Sequence, residues 1–373
     1  MAGLAARVLV VNAGSSSLKL RVLSPADEVT AGADLPAPRG AADDGEIKAA
    51  IESFGPVDAV GHRVVHGGTL YAAPVLVTAE VRRGIESLTD LAPLHQPKSL
   101  TALDAVSAVL PDVPAVACFD TAFHATIGAA AATYALPVEW RDRWALRRYG
   151  FHGLSHAYAS RRAAELLGLP PDAPDGLRAV TCHLGAGASL AAVLSGRSAD
   201  TTMGFTPLEG LVMATRSGTV DPGLVLWLEE HAGTPSAELS EVLESRSGLA
   251  GLAGTSDMRE VLSRAAAGDQ RAVLGRDVYL HRLRGSIAAM AAAMDGLDAI
   301  VFTGGVGENS AEIRSRAADG LGFLGVRVDE ARNDGNGGDD YEIGADGAPV
   351  RAFVIAARED KQIAGEVWSV LAR

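Results

Sequence analysis

The chain carries one signature twice: a short apolar run, a glycine-rich turn and a second apolar run. In the first copy Val8–Val11 leads into Asn12-Ala13-Gly14-Ser15-Ser16-Ser17-Leu18-Lys19 and on to Leu20–Leu23. In the second, Ala179–Cys182 leads into His183-Leu184-Gly185-Ala186-Gly187-Ala188-Ser189-Leu190. His183 stands 171 positions after Asn12, and the same offset pairs Gly14 with Gly185 and Val22-Leu23-Ser24 with Val193-Leu194-Ser195. A strand–turn–strand unit repeated about half a chain apart predicts a duplicated domain. Glycine and small hydroxyl residues let backbone N–H groups approach an anion, and Lys19 adds a cation at the rim, so the first turn is a candidate phosphate-binding hairpin. It lacks the Walker spacing and no helix pattern follows it, which excludes a P-loop and a dinucleotide fingerprint.

A third glycine cluster, Gly304-Gly305-Val306-Gly307-Glu308-Asn309-Ser310, ends the strand-like run Asp298–Thr303. Helix-compatible sequence follows from Ala311 to Leu321, with Asn309 or Ser310 placed as its cap. A glycine turn that opens a helix is an anion site by geometry and by dipole.

Elsewhere, Val-, Ala- and Leu-rich strands alternate with helical stretches such as Tyr158–Leu167 and Ala272–Met294, which predicts an α/β class. Pro36–Gly45, Pro170–Gly176 and Asn333–Gly347 read as surface loops. The 373 residues suffice for two domains with full cores, and 48% apolar with 21% charged residues is an ordinary globular balance. The net charge of −13 argues against a nucleic-acid or anionic-membrane binder, and it means that an anionic substrate needs a few local cations. No apolar stretch reaches the roughly 18 residues of a membrane span. Arg7 interrupts what would be a signal-peptide core, so the expected compartment is the cytoplasm. Cys118 and Cys182 both sit in apolar strand-like settings, so neither a disulfide framework nor a zinc knuckle is indicated.

The chemistry-bearing residues fall in a few runs. Gly61-His62-Arg63-Val64-Val65-His66-Gly67-Gly68 places two histidines four apart, but no glutamate follows the first, and Val64-Val65 before two glycines fits a strand ending in a turn, which rules out a zincin. Arg63 is the informative residue: an arginine within an apolar strand is costly unless it meets an anion, whether a structural carboxylate or a ligand. Leu94-His95-Gln96-Pro97, Cys118–His124 and Arg147–His156 each end an apolar run with polar groups. The run Asp200–Pro222 combines Gly, Thr and isolated charges over an unusual length for a plain loop and reads as a site-lining segment with Arg216 at its tip.

Taken together, Val10–Ser17, His62–Gly68, Phe119–His124, Arg147–His156, Met203–Gly218 and Phe302–Ser310 resemble the acetokinase family of the sugar-kinase and actin superfamily. The resemblance implies two actin-like (ribonuclease H-like) domains, residues 1–122 plus 357–373 and residues 123–356, with a nucleotide cleft between them, in a homodimer. It implies reversible in-line transfer of the ATP γ-phosphoryl group to acetate, giving acetyl phosphate and ADP, with Mg²⁺ or Mn²⁺ as the metal. Carried over by motif, Asp120, His152, Arg216, Arg63 and His95 are catalytic. Arg63, Val65, Leu94, Phe151 and Pro207 bind the acyl substrate. Ser15, Ser17, Lys19, His183, Leu184, Gly185, Ala186, Gly187, Asp257, Met258, Arg259, Gly304, Gly305, Val306, Gly307, Glu308 and Asn309 bind ATP, and Asn12 and Glu359 are associated with the metal.

Several positions depart from the family pattern. Ala186 stands where asparagine is usual, Gln96 and Lys98 replace an asparagine and a proline after His95, and Arg358-Glu359-Asp360 replaces Asn-Glu-Glu. A binding or regulatory protein of the actin-like type is the rival from another class, and it would not need Arg63, His152 and Arg216 together.

Overall fold

A computed structural model describes residues 7–14, 17–37, 42–93, 95–170, 176–335 and 340–372. Ser15, Ser16, Leu94 and parts of the three expected loops lie outside the described residues. The β-branched and small apolar runs become strands, among them β1 (Val8–Ala13), β2 (Ser17–Leu23), β3 (Val29–Pro36), β4 (Ala59–Val64), β5 (Val75–Leu76) and β6 (Ala115–Phe119). They form one sheet in the order β3-β2-β1-β4-β6-β5. A second sheet uses β7 (Arg178–Leu184), β8 (Ala188–Leu194), β9 (Arg197–Thr201), β10 (Ala299–Thr303), β11 (Tyr341–Glu342) and β12 (Arg351–Val354), and its order is β9-β8-β7-β10-β12-β11.

The two orders superpose strand for strand, and so do the directions. Each sheet opens on an antiparallel meander, continues through two parallel pairs and ends on an antiparallel edge strand. The duplication expected from the hairpins is therefore present. One detail is corrected. Asn12 faces Lys19 across the first hairpin, whereas His183 faces Ser189 across the second. Correspondingly, Gly14 N–H bonds to Ser17 O, but Gly185 N–H bonds to Gly187 O. The first turn is one residue longer, so the match of Val22-Leu23-Ser24 to Val193-Leu194-Ser195 is out of structural register by one.

The chain divides into two compact units, residues 1–125, 151–158 and 358–373 in the first and 126–150 and 159–357 in the second. The short segment 151–158 belongs with the first unit, where the sequence reading puts it in the second domain. The cause is packing: Leu154 is 2% exposed and lies in one core with Val8, Val10, Cys118 and Ile363.

In the first unit, alternation along the strands divides the apolar side chains between two faces. Leu9, Val11, Leu20 and Val60 face the helices Asp44–Phe54 and Gln96–Val109, burying Ile47, Ile51 and Val106. Val8, Val10 and Ala59 face the C-terminal helix Glu359–Leu371 through Ile363, Ala364 and Val367. Gly61 makes that second packing possible. A Cβ there would lie 2.5 Å from Ile363 Cγ2 and 2.8 Å from Val367 Cγ2, so glycine lets the helix sit directly on β4. Arg63, two residues further along the same face, thereby comes under the helix start.

In the second unit the long helix Gln270–Ala292 covers β7 and β8 and buries Leu280, Leu283 and Ile287. It agrees closely with the expected helix 272–294. The helix expected from Tyr158 begins earlier, at Gly153. No helix among the described residues is long and apolar enough to cross a membrane.

Candidate active site

The first unit gathers a charged cluster at the ends of β1, β4 and β6. Arg63 Nε and Nη2 donate to Asp120 Oδ1 and Oδ2 at 3.1 and 2.6 Å, a two-pronged pair, and Nη1 donates to Asn12 Oδ1 at 3.1 Å. Glu359, the first residue of the C-terminal helix, accepts from Asn12 Nδ2 at 3.0 Å and lies 3.7 Å from Arg63 Nε. Asp120 is 1% exposed on its side chain and Arg63 is 16% exposed. Burial works against the Arg63 charge, but Asp120 and Glu359 outweigh it and hold the guanidinium above its ordinary range. Burial pushes the Asp120 carboxyl up, Arg63 pulls it back, and the neighbouring Glu359 adds to the rise. Two carboxylates against one guanidinium leave an excess of negative charge and hard oxygen donors. That donor set suits Mg²⁺, which takes one or two carboxylates and completes its shell with water and substrate phosphate. Among the described residues no group of three or more His, Cys, Asp or Glu side chains converges into a closed metal cage.

Lys19 is exposed and sits directly opposite Asn12 on β2, on the same face of the sheet. Ser17 begins β2 and is half-buried. Arg358 pairs with Asp360 at 2.9 Å, so the altered Arg-Glu-Asp sequence neutralises its own outer charges and leaves Glu359 on Asn12 and Arg63.

His152 is held on a strained backbone, with φ +57°, unusual for a residue with a side chain. Its neighbours fix it there. Gly153 N–H donates to Asp120 O at 2.9 Å, and Phe151 O accepts from His124 Nε2 at 3.0 Å. Since a carbonyl only accepts, His124 carries its proton on Nε2. Phe151 is 1% exposed and meets the His66 ring edge-on at 5.3 Å, next to the buried Val65. His95 precedes the Gln96–Val109 helix, and the neighbouring Gln96 is fully buried with Nε2 on the carbonyls of His66 and Ile85.

In the second unit, Arg216 lies in the irregular segment between β9 and the helix Pro222–Ala232. Its Nη1 approaches Pro207 O at 3.5 Å, which brings two of the expected site residues together. Among the described residues no carboxylate pairs with it, and burial holds its guanidinium below the usual arginine range. A half-buried cation whose side-chain hydrogen bonds among the described residues go to a carbonyl and the Met213 sulfur, with Glu244 acting on it only at a distance, is poised for an anion.

The other two glycine turns meet. Thr303, ending β10, pairs with His183 on β7, and a Cβ on Gly304 would lie 2.9 Å from Leu184 O. Gly304 has φ +77°, which only glycine adopts cheaply. Ala186 O accepts from Ala214 N–H at 3.1 Å, tying the second hairpin to the Arg216 segment. The glycine cluster itself is a surprise: Gly304–Asn309 is a short helix and not an open turn, and Ser310 Oγ caps the next helix, Ala311–Asp319. Val306 and Gly307 lie within that short helix. Asp257 caps the helix Met258–Ala266 and pairs with Arg259 at the surface, while Met258 is buried. Among the described residues no hydrogen bond or ion pair joins Asp257 or Arg259 to the two turns.

The sequence model of the Acetokinase family matches residues 41–365. The chain belongs to the acetokinase family. An acetate kinase of Nostoc punctiforme is 49% identical over 329 residues, which is 88% of this chain and 80% of that protein. The crystal structure of Porphyromonas gingivalis acetate kinase is 36% identical and superposes with a TM-score of 0.89 over 98% of this chain and 100% of its own. A propionate kinase from Francisella tularensis subsp. tularensis is 34% identical, with a TM-score of 0.87 over 97% of this chain and 98% of its own. The fold is thus the duplicated, two-domain actin-like architecture of these acetokinase-family structures.

Within this acetokinase-family chain, one supporting network escaped the sequence reading. Arg148 Nη2 and the Tyr134 hydroxyl both donate to Glu209, at 2.8 and 2.6 Å, and the Tyr134 oxygen accepts from Phe205 N–H at 2.9 Å. Arg148 also donates to the carbonyls of Thr202 and Met203, so the network braces the segment that carries Pro207. The lone Glu209 among glycines and threonines was the available signal.

Proposed function

We propose that the protein transfers the γ-phosphoryl group of ATP to acetate by direct in-line displacement, reversibly giving acetyl phosphate and ADP. The observation that carries this reading is the Arg63 node in a chain of the acetokinase family: a part-buried guanidinium held by Asp120, with Asn12 and Glu359 beside it. Acetate is already ionised near neutral pH, so its attack on phosphorus needs no strong general base. What the reaction needs is the gathering of two anions. In this reading Arg63 and Arg216 meet the acyl carboxylate and the transferring phosphoryl oxygens. His152 supplies a further donor from its fixed backbone, Asp120 orients Arg63, and His95 supports the same centre.

Asn12 and Glu359, with Asp120 nearby, are the residues that would hold Mg²⁺ or Mn²⁺, which supplies charge neutralisation of the phosphates when bound. We assign nucleotide contacts to Ser15, Ser17, Lys19, His183–Gly187, Asp257–Arg259 and Gly304–Asn309. Val65, Leu94, Phe151 and Pro207 are assigned to the acyl methyl group. Ala186 brings no side-chain amide to the second turn, and phosphoryl-donor preference is the property most exposed to that change.

A homodimer is part of the proposal. The helix Pro222–Ala232 leaves Leu224 and Trp227, three residues apart on one face, about half exposed, an apolar surface suited to a second copy. Light scattering at the mass of one chain would remove it. We place the reaction in the cytoplasm, where ATP is supplied.

The test is a hydroxamate assay for acyl phosphate with ATP and C2 to C4 acids. Acetate should give the highest kcat/KM. ATP binding without acyl phosphate would overturn the kinase reading in favour of an actin-like regulator. The solved propionate kinase supports a second reading, because one methylene in an apolar pocket changes discrimination by only about 1–3 kcal/mol. Equal kcat/KM for acetate and butyrate would overturn the acetate assignment.

A further inference from the structure

The short helix Gly304–Asn309 contains three glycines in six residues, a composition that does not hold a helix by propensity. Two side chains hold it instead. At its start, Glu308 Oε1 accepts from Gly304 N–H at 2.8 Å and from Ala357 N–H at 2.9 Å. At its end, Arg314 Nη1 donates to Gly307 O at 2.9 Å and Glu308 O at 2.8 Å, the carbonyls that a helix terminus leaves unsatisfied. Arg314 is 2% exposed, and among the described residues no carboxylate pairs with it. Its remaining donors go to Asn333, Nε to Oδ1 and Nη2 to O, both at 2.7 Å. Burying a guanidinium against neutral acceptors alone is expensive, so its retention calls for a reason.

The duplication shows what Glu308 replaces. Matching the two sheets by register puts Val64 at the place of Gly304 and Asp120 at the place of Ala357. In the first unit Asp120 N–H donates directly to Val64 O at 3.0 Å, closing the strand ends against each other. In the second unit the Ala357 N–H goes to the Glu308 carboxylate, and the same oxygen takes the N–H of Gly304. The strand ends are therefore held apart by one carboxylate, and the space goes to the glycine helix. Gly305, beyond the latch, has nothing within 4 Å of where a Cβ would be.

We propose that Glu308 and Arg314 are positioning residues that hold the Gly304–Asn309 helix in its nucleotide-receiving shape, and that the Glu308 carboxylate itself makes no contact with nucleotide. The inference rests on the reading of this helix as part of the nucleotide site, and it reassigns Glu308 within it. Gly305 and the open backbone around it are left to meet the ligand.

The experiment measures Mg-ADP affinity by titration calorimetry, the KM values for ATP and acetate, and the thermal midpoint, in wild type, E308A, E308Q and R314K. Glu308→Ala should weaken ADP binding and raise KM for ATP by about tenfold or more, with KM for acetate within about twofold. Glu308→Gln keeps an oxygen at the Oε1 position and should stay within about threefold of wild type for ADP. Arg314→Lys cannot make all four bonds and should follow Glu308→Ala in direction. Wild-type ADP affinity in E308A overturns the positioning role, and so does an E308Q as impaired as E308A, which would show that the charge acts on the ligand directly. Failure of the wild type to bind ADP overturns the nucleotide reading, and this inference with it. Should E308A not fold, E308D, too short to reach both amides, carries the same expectation.

Discussion

Arg63 and Asp120 form a two-pronged ion pair at the ends of the first sheet, with Nη2 to Oδ2 at 2.6 Å and Nε to Oδ1 at 3.1 Å. They stand on adjacent parallel elements, Arg63 within β4 and Asp120 immediately after β6. The pair orients the guanidinium so that its third nitrogen reaches Asn12, while Glu359 lies 3.7 Å from Nε. An arginine held this way is preorganised for a second anion without a change of rotamer.

Breaking that pair should be felt in the fold as well as in turnover. Asp120→Ala leaves a buried guanidinium short of a partner and should cost about 3–5 kcal/mol, with Arg63→Ala costing a similar amount. The double substitution should be less destabilising than the sum, by more than about 1 kcal/mol. Urea unfolding of the four proteins measures the cycle, and strict additivity would show that the pair does not act as a unit.

Arg216 should behave in the opposite way. Among the described residues no carboxylate bonds to it and Glu244 acts only at a distance, so Arg216→Ala should leave the thermal midpoint nearly unchanged while reducing kcat on the order of 10²–10⁴-fold. Differential scanning calorimetry alongside the hydroxamate assay separates the two effects. A large fall in the midpoint would make Arg216 a structural residue.

Much of this was legible in the chain because the signals are local. Gly14 and Gly185 announced two hairpins through turn chemistry, and Arg63 announced an anion by interrupting an apolar strand. The partner of Arg63 was not legible, because Asp120 lies 57 residues away and is delivered by strand order alone. The route by which Glu359 meets Asn12, 347 positions apart, depends on Gly61 admitting the C-terminal helix to β4. The extra residue in the first turn was hidden as well, since a constant offset matches apolar residues almost anywhere in strands this rich in Val, Leu and Ala. The glycine helix 304–309 defied its own composition because Glu308 and Arg314 impose it from outside local propensity.

Gly153 should tolerate no side chain. A Cβ there would stand 2.1 Å from Asp120 O and 2.9 Å from Phe123 Cβ, against backbone that carries Asp120 and beside the strained His152. Gly153→Ala should therefore cost at least about 1–3 kcal/mol and impair turnover together, since relief requires moving either Asp120 or His152. Crystallography or residual activity showing an unperturbed site in the folded variant would contradict this.

His62 ties the stability of the first unit to pH. It is 1% exposed within β4, neither ring nitrogen has a hydrogen-bond partner among the described residues, and burial lowers its pKa to about 4, against a weaker opposing pull from Asp104. Its ordinary value is near 6.5, so between those limits the unfolded chain binds a proton that the folded chain refuses. Stability is complete above about pH 6.5 and falls as the pH drops toward 4, at up to about 1.4 kcal/mol per pH unit from this residue. His66 and His124, each also lowered to about 4 by burial, add in the same direction, which predicts a steep acid limb. Replacing His62 by Leu removes one titrating group without orphaning a hydrogen bond. The variant should lie close to wild type at pH 7.5 and lose stability less steeply between pH 6 and pH 4.5, by roughly 1 kcal/mol per pH unit. Urea titrations at several pH values give both slopes; parallel slopes would mean that His62 is already protonated in the fold and that its burial is balanced by a partner that this geometry does not contain.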